Sequence, residues 1–172
     1  MRVAIPRIAA VGVVLASLAL VLVAPGSARA QSVQGLGYGV GGIAGYSGFF
    51  GSRAGSAAHG AGGGELLAGG RAGAAGEFGF LLGTDALSIT SVNGVFHAVP
   101  VRRDEPFSPF VTAGYTHMSS GEGAFDAWNI GGGADVWTSA HRALRLEFRD
   151  HVRPDVRGTV HYWSLRAGIA FR

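Results

Sequence analysis

His117, Ser119 and Glu122 sit close together in "HMSSGE". They are the residue types of a hydrolytic triad: a hydroxyl to attack, an imidazole to take its proton, and a carboxylate to orient the ring. No G-x-S-x-G elbow accompanies them, and the same string reads equally as a polar loop. Asp150 and His151, beside Arg149, have the makings of an acid–base pair. In a strand, however, adjacent residues point to opposite faces and do not meet. The six histidines show neither H-x-H nor H-x-x-x-H spacing and there is no cysteine, so no metal site is expected. "GAGGGELLAGG" (60–70) is glycine-rich but lacks the Lys-Ser/Thr of a phosphate-binding loop. It reads as a curved strand. The sequence therefore assigns no catalytic, cofactor-binding or metal-binding residue, and the expectation is a protein that is not an enzyme.

The elements that carry these residues are strands. In "RLEFRDHVR" (145–153), Arg145, Glu147, Arg149, His151 and Arg153 alternate with Leu146, Phe148, Asp150 and Val152. A period of two puts the charged set on one face and the mainly apolar set on the other. In a water-soluble barrel the ionic face is wet; in a membrane barrel it lines the lumen and the apolar face meets lipid.

The first 30 residues read as a separate segment. Arg2 and Arg7 precede the apolar run "IAAVGVVLASLALVLVA", and Ala28-Arg29-Ala30 forms an A-x-A site. This is the pattern of a secretory signal peptide cleaved before Gln31. The rest, residues 31–172, has the length of one domain. Three of the 14 basic residues, all arginines, lie in the leader. The remaining 11 balance the 11 acids, so the high precursor pI gives no argument for nucleic acid. No basic, aromatic-interleaved cluster suits such a partner either. After the leader, no apolar run approaches the roughly 20 residues of a membrane helix. A membrane span here must be built from strands.

Turn signals divide residues 31–172 into eight strands, at about 34–50, 59–68, 73–83, 87–99, 107–118, 125–137, 143–152 and 159–171. Of the 30 glycines, 28 lie after the leader. In a small, tightly curved barrel, glycine marks bends and close approaches, with small inward residues opposite large ones. The polar faces collect Glu65, Glu77, Asp135 and Glu147 with Arg145, Arg149 and Arg166. Isolated mid-strand charges of both signs suit a hydrogen-bonded network inside an eight-stranded lumen that side chains fill. Tyr115, Trp128, Trp137 and Trp163, near strand ends, are expected to form an aromatic girdle.

"PFVTAGYTHMSSGEGAFDAWNIGGGADVWTSAHRALRLEFRDHV" and "HYWSLRAGIAFR" resemble the bacterial outer-membrane protein β-barrel family, whose members are small eight-stranded barrels with a periplasmic N-terminus. The likeness is carried by "PFVTAG", "NIGGGAD" and "LRLEFR" in order and spacing. Over residues 31–100 it rests on strand pattern alone. It implies an all-β fold, an eight-stranded antiparallel up-and-down transmembrane barrel, located in the cell outer membrane. It further implies contact with outer-membrane lipids, insertion by the barrel-assembly machinery, and a monomer. Members of the family commonly end on an aromatic residue; here Phe171 is penultimate, before Arg172.

The functional expectation is a small non-enzymatic barrel with a structural or surface-interaction role and a plugged lumen, not a large diffusion pore. One alternative is a soluble periplasmic or secreted barrel that binds a small apolar ligand. A second is a lipid-modifying enzyme resembling lipid A deacylases, built on His117, Ser119 and Glu122. No cofactor is expected.

Overall fold

In the computed structural model the described residues are 33–48, 55–82, 87–121, 123–156 and 158–172. The segment expected to be a leader, residues 1–30, and Glu122 lie outside them. Eight antiparallel strands form one closed barrel: β1 (Val33–Gly48), β2 (Gly55–Ala68), β3 (Ala72–Leu82), β4 (Leu87–His97), β5 (Phe107–Ser120), β6 (Gly123–Trp137), β7 (Arg142–Asp155) and β8 (Gly158–Phe171). Each strand pairs with its neighbours in sequence, and β1 closes on β8 with Gly37 opposite Phe171 and Gly48 opposite Val160. All eight expected strands are present. β2 begins four residues earlier than its turn signals suggest, and β7 runs on through Pro154 to Asp155. With 11 to 16 residues each, the strands meet or exceed the roughly 9–11 needed to cross a bilayer at a tilt. The N- and C-terminal strands start and finish at one end, with the β2–β3, β4–β5 and β6–β7 turns; this is called the terminal end here, and the opposite end is distal.

The faces are sorted inside out. Arg145, Glu147 and Arg149 are each 1 % exposed, whereas the alternating Leu144, Leu146 and Phe148 are 55, 58 and 50 % exposed. The same inversion runs around the barrel. Ile43, Leu66, Phe78, Val92, Val111, Ile130 and Leu165 face outward, while Glu65, Glu77, Asp135 and Arg166 are buried. Water would reverse this pattern; lipid outside a polar lumen accounts for it.

Glycine falls into two populations. At Gly42, Gly63, Gly73, Gly79, Gly114, Gly131, Gly133 and Gly168 an added Cβ would run into the backbone of an adjacent strand. These glycines share the inward phase of their strands, and large inward residues sit across from most of them: Gly42 faces Arg166, Gly63 faces Tyr38, and Gly131 faces Arg149. This is the small-opposite-large arrangement that tight curvature requires. The second population faces outward. At Gly35, Gly39, Gly60 and Gly76 an added Cβ meets nothing within 4 Å. In β1 it is therefore Leu36, Tyr38 and Val40 that enter the lumen, and the alternating glycines form the outer surface.

Candidate functional site

The lumen holds the chemistry. All seven charged residues assigned to the polar faces are brought together there, from β2, β3, β6, β7 and β8. Near the terminal end, Glu65 accepts from Arg145 Nη2 at 2.6 Å and meets His97 Nε2 at 2.9 Å. His97 Nδ1 lies 2.9 Å from Ser108 Oγ, which donates to the Val99 carbonyl. Asp135 approaches Arg145 Nη1 at 3.4 Å. The Arg145 guanidinium lies between two rings, 4.2 Å from the centre of Tyr38 and 4.0 Å from that of Phe110. Deeper in, Glu77 Oε1 accepts from Arg166 Nη1 at 2.6 Å and Arg149 Nη1 at 3.2 Å, and Glu77 Oε2 accepts from the Tyr38 hydroxyl at 3.0 Å. Glu147 Oε1 receives Arg149 Nη2 at 2.6 Å and stands 2.6 Å from Arg166 Nη2. Each carboxylate thus touches at least one guanidinium, the condition under which such charges are tolerated out of water.

Sequence reasoning placed His151 on the ionic face of β7 but missed two further contributors, His59 and His97. His59, His97 and His151 also point inward and are buried. Their signal was phase alone: His59 shares the parity of Glu65 in β2, His151 that of Glu147 and Arg149 in β7, and His97 that of the buried Ser91 and Asn93 in β4.

The network also fixes register. A slip of one residue in β7 exchanges Arg145, Glu147 and Arg149 for Leu144, Leu146 and Phe148. It would place two guanidiniums against lipid, at about 2–4 kcal/mol each near the midplane.

Of the four expected girdle aromatics, three face outward. Tyr115 and Trp128 are opposed in register and pack edge to face, with ring centres 6.2 Å apart, and Trp163 shares the outer phase of β8. Trp137 does not belong to the girdle. Its phase in β6 is that of Asp135 and Asn129, so it turns inward and is buried at the terminal end, with the Arg172 guanidinium 3.8 Å over its ring. Proximity to a strand end is a statement about height and says nothing about face.

The hydrolytic set is not assembled among the described residues. His117 Nδ1 is 2.8 Å from Asp126 Oδ1 on the outer surface. The Ser119 hydroxyl lies 3.2 Å from that of Ser88. Asp150 faces out and pairs with His161 at 2.7 Å, while His151 faces in and meets the Tyr162 carbonyl. The two neighbours thus do point apart. No group of three or more His, Asp or Glu placed to hold a metal occurs among the described residues.

The closed antiparallel barrel, apolar outside and ionic inside, defines a transmembrane β-barrel. No protein-family model and no curated protein matches the chain. Solved structures do. Neisserial surface protein A superposes with a TM-score of 0.62 at 11 % identity, over 81 % of this chain and 98 % of that one. The N-terminal β-barrel domain of Pseudomonas aeruginosa OprF gives 0.59 at 17 %, over 81 % and 98 %. A de novo designed transmembrane β-barrel gives 0.54 at 16 %, over 82 % and 97 %. The chain has the fold of the small eight-stranded outer-membrane β-barrels.

Proposed function

We propose that this protein is a monomeric, non-enzymatic component of the bacterial outer membrane. In this reading residues 1–30 are its cleaved export signal and the barrel-assembly machinery inserts it. The terminal end faces the periplasm and the distal end the cell exterior. Its role is structural or lies in surface interaction, and its lumen is plugged. The observation that carries the reading is the buried set Arg145, Arg149, Arg166, Glu65, Glu77, Glu147 and Asp135. Guanidiniums and carboxylates held against one another at 2.6 Å occupy the axis that a diffusing solute would need. A barrel for an apolar ligand calls for an apolar cavity of roughly 300 Å³ or more; a charged, filled lumen does not suit it. A lipid-modifying enzyme calls for a base in contact with its nucleophile, whereas His117 and Ser119 have other partners.

The test has two parts. Cell fractionation is expected to place the protein in the outer membrane, with a shift in gel mobility on boiling. The purified protein in planar bilayers is expected to give no stable large conductance. Recovery from the soluble periplasm would reject the membrane assignment. Sustained porin-like currents would reject the plug.

A further inference from the structure

Three residues with an unpartnered buried polar atom line one cavity in the distal part of the lumen. The atoms are His59 Nδ1, His151 Nε2 and Ser164 Oγ, and the three residues border the cavity together with Met118. All four are at least nine-tenths buried. They come from β2, β7, β8 and β5, so no spacing in the sequence announces them.

The donor set narrows the occupant. The His151 Nδ1 atom is 3.0 Å from the Tyr162 carbonyl, which can only accept. In the neutral ring the proton is therefore on Nδ1 and the lone pair on Nε2, the atom left without a partner. A carbonyl that fixes one ring nitrogen while the other stays open is the usual support for a metal-ligating histidine. The Met118 side chain supplies a thioether, a soft donor. The lining contains no carboxylate, which argues against calcium and magnesium. The nearest charged layer is already paired, Glu77 and Glu147 against Arg149 and Arg166, so nothing there offsets a double positive charge. The cavity has room for about one water-sized sphere, enough for a single atom and not for an organic ligand.

We propose that this cavity binds one soft monovalent cation of the Cu(I) and Ag(I) class, held by His59, His151 and the Met118 thioether, with the Ser164 hydroxyl beside them. Neutral imidazole and thioether donors select such ions over harder ones.

The test uses the detergent-purified barrel titrated calorimetrically with Ag(I) alone in chloride-free buffer. One saturable equivalent is expected. His59→Ala, His151→Ala and Met118→Leu are each expected to weaken it about tenfold or more. His117→Ala and His161→Ala, on the outer surface, are expected to leave it unchanged. The boiling-dependent gel shift reports folding of every variant. Should the histidine variants misfold, Met118→Leu and X-ray absorption of bound Cu(I) decide the matter, with a sulfur neighbour expected in the wild type and lost in the variant. Absence of a saturable equivalent, a site that follows the outer-surface histidines, or a metal shell without sulfur would overturn the proposal and leave the cavity to water.

Discussion

Glu77 and Arg166 lie 89 positions apart in the sequence and 2.6 Å apart in the barrel. Glu77 also serves Arg149 and the Tyr38 hydroxyl, so one carboxylate ties β1, β3, β7 and β8 together. Glu77→Gln removes the charge and leaves two guanidiniums buried to within 1 % of complete with Glu147 as their remaining anion. Breaking one side of a buried ionic set costs several kcal/mol, because the orphaned charge stays behind. The variant is expected to lose about 3 kcal/mol or more, read as a lower urea midpoint in detergent micelles. A midpoint equal to wild type would mean that the lumen is wet enough to screen these charges.

The two glycine populations predict opposite responses to one methyl group. At Gly168 an added Cβ collides with the Gly39 carbonyl, and at Gly133 it collides with the Leu146 carbonyl and the Phe110 ring. Gly168→Ala and Gly133→Ala are expected to lose about 1–3 kcal/mol or to fail to fold. Gly39→Ala and Gly76→Ala point into open space. Their main effect is to restrict the unfolded chain, so they are expected to be neutral or to stabilise by up to about 1 kcal/mol. Heat-modifiability across the four variants separates the groups; equal responses would contradict the sorting.

How far the sequence discloses this structure depends on the kind of signal. Alternation is local, so Arg145, Glu147 and Arg149 could be placed on one face from nine residues of sequence. The same period set Glu65 opposite in phase to Leu66, and Glu77 opposite to Phe78 and Phe80. Which of the two faces is inside is not local: it was argued from isolated mid-strand charges of both signs around the whole set of strands and from the family resemblance. Trp137 shows the limit. Its height near a strand end was legible and so was its phase, which is that of Asp135 two residues before it, but the girdle expectation rested on height alone and passed over that parity. The β1 glycines are a second limit, since a Gly-x-Gly-x strand reads the same with either face inward. The cavity of His59, Met118, His151 and Ser164 depends on closure of the barrel, which no single stretch encodes.

Trp128, Trp163 and Trp137 offer a direct test of face assignment. The first two have outward phase and the third is buried beneath Arg172. In single-tryptophan variants reconstituted into bilayers, brominated lipids are expected to quench Trp128 and Trp163 strongly and Trp137 weakly. Trp128 and Trp163 belong near the headgroups, where indole is favoured, so bromines placed high on the acyl chain are expected to quench them better than deep ones. Strong quenching of Trp137 would return it to the girdle and leave the terminal end without an aromatic cover.

That cover depends on Arg172. Arg172 lies over Trp137, donates from Nε to the Ala140 carbonyl at 3.0 Å and from Nη1 to the Arg102 carbonyl. It thereby ties the β6–β7 turn and the β4–β5 turn to the end of β8. The β4–β5 turn is itself tucked inward: Val101 is buried and bonds through its amide to the Gly70 carbonyl. Arg172→Ala is expected to cost about 1 kcal/mol from the lost stacking and hydrogen bonds, and Arg172→Lys to recover only part, since an ammonium cannot reach both carbonyls in the same planar fork. The more telling measurement is amide exchange. Faster exchange at Val101 and Trp137, with β2 and β3 unchanged, is the signature of a local latch. Uniform acceleration around the barrel would show instead that Arg172 acts on global stability, and the latch would have to be abandoned.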